Sequence, residues 1–130
     1  MKKYILFILL LSISINGYSK KGFTTLITLT TYNPTASQCQ GNPLQTADGS
    51  IINLQRLKKG SIKWCAISRD LLKTIPLGSI IEIEGYGRYE VKDTMNSRFN
   101  HYVDILQDKS KENFKKTKIR IEVIKINKKK

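Results

Sequence analysis

Residues 118–126 read KIRIEVIKI: Ile119, Ile121 and Val123 alternate with Arg120 and Glu122. A period of two is that of a strand covered on one face, whereas a helix would repeat every 3.6 residues. The same character runs back along the chain. Tyr102–Leu106 (YVDIL), residues 89–92 after the Gly85-Tyr86-Gly87 turn, residues 79–84 (SIIEIE), residues 61–68 (SIKWCAIS) and Thr24–Tyr32 (TTLITLTTY) are short runs rich in β-branched and aromatic residues. Residues of that type fit a pleated surface. Residues 33–53 carry Pro34, Gly41, Pro43 and Gly49 and read as a long loop, the kind that in a compact domain is usually functional. One helical turn is expected over 69–74, ahead of Pro76, and a short helix over 108–116. Six short strands with turn signals between them predict an all-β barrel with one or two short helices, not a βαβ fold.

The N-terminus points to export. Lys2 and Lys3 precede an apolar run from Tyr4 to Ile15, and Gly17 and Ser19 are small residues at the expected −3 and −1 positions. That is the pattern of a secretory signal peptide over residues 1–19, too short for a span of about 20 apolar residues. Residues 20–130 then form a single domain with no further hydrophobic segment, so no membrane span is expected after cleavage. The expected location is the periplasm or the outside of the cell, with outer-membrane association open.

The formal net charge is +13, from 23 Lys and Arg against 10 Asp and Glu. Such a balance suits an acidic partner, which for an exported chain means an anionic wall polymer or lipid and not nucleic acid. The blander reading of the Lys runs at 109–111, 115–116 and 128–130 is a solvated surface. Cys39 and Cys65 are the two cysteines, and an even count in an exported chain favours a disulfide between them. One His and two distant Cys lack zinc spacing, so neither a metal centre nor another cofactor is expected.

Two acids attract attention. Asp104 interrupts the apolar run YVDIL, and Asp93 ends the run EVKD. An Asp in such a strand is disfavoured by propensity and by burial, so it calls for a reason. Two carboxyls on one cleft could do glycoside chemistry, one of them as proton donor. Against this, Asp104 could face solvent and Asp93 could cap a turn.

Thr31-Tyr32, Ile75-Pro76-Leu77-Gly78-Ser79, Gly85-Tyr86-Gly87, Val91-Lys92-Asp93-Thr94 and Tyr102-Val103-Asp104-Ile105 fall in an order that resembles the three-aspartate (3D) domain. That domain is a six-stranded double-psi β-barrel, related to rare lipoprotein A, membrane-bound lytic transglycosylase A and the expansins. The resemblance implies an exported protein acting on peptidoglycan glycan strands as a monomer, with Asp104 as catalytic acid and Asp93 beside it. It implies Thr31 and Tyr32 along the groove, Thr31 orienting the acid and Tyr32 stacking on sugar. Tyr86 reads as a further sugar platform. Ser68 stands where the family carries its third aspartate, and Asp70 is displaced by two positions. Three activities fit: glycan cleavage as a lytic transglycosylase, non-catalytic wall loosening of the expansin kind, or adhesion through charge. The first is the main expectation; Ser68 favours the second.

Overall fold

The computed structural model describes residues 22–35 and 41–126. The expected signal peptide lies outside the described residues, and among those described no helix is long and apolar enough to cross a membrane. Six strands close a barrel: β1 (Thr24–Tyr32), β2 (Trp64–Ile67), β3 (Ile80–Ile83), β4 (Gly87–Thr94), β5 (Tyr102–Leu106) and β6 (Lys115–Lys125). Around the barrel they run β1-β5-β2-β4-β3-β6, and β6 returns to β1. Two neighbouring pairs are parallel, β1 with β5 and β2 with β4, and the rest are antiparallel. Closure leaves no free sheet edge.

The alternation in each strand sorts its side chains to two sides of the barrel wall. Leu29, Ile67, Ile81, Val91, Val103 and Ile121 point inward and are fully buried. Cys65 joins them as a free thiol with no exposed surface, and burial pushes its pKa up. Cys39, its expected disulfide partner, lies outside the described residues. The opposite side of β1, β5 and β2 is partly covered. Tyr32, Ala66 and Leu106 pack there against Ile52, Leu57 and Ile62 from the long connection between β1 and β2. That connection holds one short helix, α1 (Leu54–Lys58), whose first turn is capped by the Asn53 side chain accepting from the Arg56 N–H at 3.0 Å. The barrel wall is therefore covered on both sides along part of this stretch, and Asp104, half-buried, sits at the edge of that cover.

Two expectations need correction. The single helical turn after β2 is a 3-10 turn of only three residues, Arg69–Leu71. The helix expected over 108–116 is absent: Asp108 caps a turn by accepting from the Ser110 N–H at 3.1 Å. The Gln107 amide donates to the carbonyls of Lys111 and Glu112, and the Phe114 N–H goes to the Thr31 hydroxyl. These bonds, local except for the one from Phe114 to Thr31, take backbone groups that a helix would use internally. β6 accordingly starts at Lys115, earlier than the alternating pattern suggests.

Candidate functional site

Pairing register sets out the site. Ala66 on β2 is opposite Asp104 on β5 and also opposite Asp93 on β4, while Asp104 is opposite Thr30 on β1. Cross-strand partners share a face, so Thr30, Asp104, Ala66 and Asp93 form one row across four adjacent strands. Asp93 reaches that row through a β-bulge. The β2–β4 register shifts between Cys65 and Ala66, so Val91 pairs with Cys65 but Asp93, not Lys92, pairs with Ala66. A bulge of this kind re-aims a side chain: Val91 stays inside the barrel and Asp93 joins the outer face. The row opens on a groove of about 630 Å³ between the barrel wall and the connection carrying residues 42–47.

The two carboxyls are held differently. Asp93 Oδ1 accepts from the Ala47 N–H and from its neighbour Thr94 N–H, both at 2.9 Å, and the Tyr32 hydroxyl donates to the same carboxyl. Burial raises the Asp93 pKa above the usual carboxylate value; these three bonds oppose the rise and the Asp48 charge adds to it. Asp104 accepts from the Thr30 hydroxyl at 2.8 Å. Burial pushes its pKa up to about 6, the Thr30 bond resists, and the charge on Asp93 pushes further. A carboxyl with that pKa holds its proton for part of the time near neutrality and can donate it.

The orienting hydroxyl comes from Thr30, not from Thr31. Thr31 is buried, donates to Asn113 Oδ1 at 3.2 Å and tethers residues 113–114 to the barrel. The parity of the strand explains the difference, because only Thr30 lies opposite Asp104. Tyr32 lines the groove but exposes only 8% of its surface; it acts as a hydrogen-bond donor to Asp93 and offers little ring face to a sugar. Ser68 and Tyr86 lie apart from the carboxyl row. Ser68 is fully buried, and its hydroxyl accepts from the Tyr102 N–H at 3.0 Å and bonds Asp70. Asp70 in turn accepts from the His101 N–H and meets His101 Nδ1 at 2.9 Å, so this pair ties the turn after β2 to the start of β5. Tyr86 lies in the β3–β4 turn, stacked on Phe114 with ring centroids 5.6 Å apart, beside a second, shallower depression that includes Glu82, Glu84 and Arg120.

Groove residues that sequence reasoning missed are Thr46, Ala47, Arg69, Arg98 and Phe99. They come from loops, where no periodicity marks them; the length of the 33–53 segment was the one signal. Behind this wall, Lys92 acts as a latch. Its ammonium lies 3.4 Å from Asp48 and 3.3 Å from Glu90, donates to Ser50 Oγ at 3.1 Å and sits 5.0 Å from the centre of the Trp64 ring. Burial alone would lower its pKa, but the carboxylates of Asp48 and Glu90 outweigh burial and raise it. Removing one partner of a largely buried ion pair leaves the other uncompensated. Lys92→Met should therefore cost about 2 kcal/mol in denaturant unfolding. It should also speed hydrogen exchange at the Ala47 amide, since Ala47 is next to Asp48 and bonded to Asp93. Unchanged exchange there would show that the loop holds without the latch.

No family model and no curated protein matches the chain. Among solved structures it is similar to the apo form of an expansin from Clavibacter michiganensis, with a TM-score of 0.51 and 15% identity over 82% of this chain and 53% of that one. A mutant of that expansin in complex with cellohexaose is matched with a TM-score of 0.47 and 15% identity, over 81% of this chain and 51% of that one. The chain thus spans about half the length of the expansin. At this identity the likeness is one of fold: the closed barrel is the six-stranded double-psi β-barrel.

Proposed function

We propose that this is an exported barrel that binds glycan strands of the bacterial cell wall in the Thr30–Asp104–Ala66–Asp93 groove and loosens the wall as an expansin-like module. The observation that carries this reading is the groove itself: an open, mainly polar channel of about 630 Å³ with two carboxyls in its wall. Asp93 is firmly fixed by three hydrogen bonds and Asp104 by one, so they offer acceptors of defined position to sugar hydroxyls. The basic n-region and apolar run at the N-terminus support export, and the net charge of +13 supports residence against an anionic wall. The shared barrel with an expansin supports the non-catalytic form of this activity over the cleaving one.

Cleavage is the second reading, and one observation favours it: burial holds the Asp104 pKa near 6, with ionised Asp93 beside it. A protonated Asp104 would give its proton to the glycosidic oxygen as the bond to C1 breaks. The 6-hydroxyl of the same sugar would close onto C1 and pass its proton to the Asp104 carboxylate, which restores the acid and leaves an anhydro-sugar with no need for a bound water. Incubation of the protein with purified peptidoglycan, followed by pelleting and mass analysis of the supernatant, separates the readings. Co-pelleting without anhydro products is the expected result; co-pelleting with them establishes the second reading, and no co-pelleting overturns both.

A further inference from the structure

The groove wall carries two cations that form no ion pair among the described residues. Arg69 and Arg98 both line it, and among the described residues neither guanidinium forms an ion pair; those that occur use Arg88, Lys92 and His101. Their placement is defined. Arg69 starts the 3-10 turn after β2, and its Nε donates to the Met95 carbonyl at 3.0 Å. That bond fixes the plane of the guanidinium and leaves its two terminal NH2 groups for a ligand. Arg98 is exposed and lies with its guanidinium carbon over the Phe99 ring, 4.8 Å from its centre, and among the described residues its side-chain N–H groups have no hydrogen-bond partner. Met95 follows Asp93 by two residues, just past the end of β4, so the carbonyl that holds Arg69 lies next along the chain from the carboxyl row. A planar fork of N–H donors matches a carboxylate, and aromatic stacking of an Arg holds it ready with little further loss of freedom.

We propose that Arg69 and Arg98 form an anion subsite that takes a carboxylate borne by the glycan, so that the groove selects acidic glycan over neutral glycan of the same backbone. This rests on the reading of the groove as a glycan site and adds the substrate class to it. The two carboxyls of the row would contact sugar hydroxyls, and the guanidinium pair would contact the acidic substituent of a neighbouring sugar. In peptidoglycan that carboxylate could come from the lactyl ether on the sugar or from the attached peptide; the chemistry recognised is the same.

The test is calorimetric titration of the full mature chain with soluble peptidoglycan fragments and, separately, with chitohexaose, a neutral acetamido-sugar chain. Wild type should bind the fragments at least about tenfold more tightly than chitohexaose. The double variant Arg69→Gln/Arg98→Gln should lose that preference and bind the fragments no more tightly than it binds chitohexaose. Amidating the fragment carboxylates should reproduce that loss with wild-type protein. Stripping the peptide frees the lactyl carboxylate, which the amide to the peptide otherwise occupies: retained preference then shows that the subsite accepts either carboxylate, lost preference assigns the peptide carboxylate, and either supports the subsite. Arg98→Gln alone keeps the Arg69–Met95 bond, so it guards against a folding defect and should still lose part of the preference. A double variant that is folded and binds fragments like wild type overturns the subsite and leaves the glycan reading intact. Wild type that binds neither ligand overturns that reading, and the subsite falls with it.

Discussion

On the cleaving reading, Asp104→Asn should lose glycan cleavage by at least ~100-fold, the usual contribution of a positioned general acid, while on either reading the barrel stays folded and still pellets with peptidoglycan. Asn keeps the shape of the side chain and can still accept the Thr30 hydroxyl bond through its carbonyl oxygen. It has no proton to give. Asp93→Asn should reduce cleavage less, because Asp93 acts on Asp104 through its charge and is held by donors that an amide oxygen can also accept. Anhydro-product yield from peptidoglycan, measured for wild type and both variants, checks the order. A measurable yield that is equal for wild type and Asp104→Asn would remove Asp104 as the acid, and no yield from wild type would leave the binding reading alone.

The same substitution has a consequence for stability that needs no assumption about activity. Asp104 is an acid whose pKa is raised in the fold, from 3.8 to about 6. Between those values the folded state keeps the proton and the unfolded state has lost it. Stability must therefore fall as pH rises through this window, and the cost is fully present above the folded value. A shift of that size corresponds to about 3 kcal/mol. Asp48 and Asp70 have lowered pKa values and act the opposite way, but at more acidic pH. Asp104→Asn should therefore gain stability over wild type at pH 7 and show little difference at pH 4, and urea unfolding at the two pH values measures it. A substitution that destabilises equally at both would mean that the carboxyl is not carrying a burial penalty.

Much of this architecture was legible because strands announce themselves locally. β1 and β5 have the bounds that their residue types suggest, since TTLITLTTY and YVDIL place β-branched and apolar side chains against the interior at every second position. α1 was readable too, though it was missed: Asn53 is a good cap before LQRLK, and Gly60 with φ 79° follows the end of the helix. The site was half legible. An Asp in an apolar strand signals a special environment, but the environment is made elsewhere, by the connection that folds over β1, β5 and β2. Nor does any local pattern reveal the bulge that turns Asp93 onto the groove face, because a register shift belongs to a pair of strands and not to either alone. Strict alternation from Val91 would have sent Asp93 into the barrel. The choice of Thr30 over Thr31 depends on the same kind of pairing information.

Ala66 gives the sharpest steric test of the groove, because it is the one small side chain in the row and stands between the two acids. It exposes 3% of its surface and packs with Tyr32, Met95 and Leu106. Ala66→Leu replaces a methyl with an isobutyl group at a position that lines the groove. Overpacking a well-filled site costs about 1–3 kcal/mol, so the variant should melt lower yet remain folded. The added carbon atoms should also displace water from both carboxyls, which moves the Asp104 pKa further up. Peptidoglycan binding should fall by at least about tenfold, or ~1.4 kcal/mol. Ala66→Ser, close to Ala in volume, should bind like wild type and serves as the control for substitution as such. Carboxyl titration followed by NMR reports the pKa, and co-pelleting reports the binding. A folded Ala66→Leu that raises the Asp104 pKa but binds like wild type would show that glycan docks elsewhere on the barrel. A folded Ala66→Leu that loses binding, with Ala66→Ser intact, would fix the ligand directly over the Asp93–Ala66–Asp104 row.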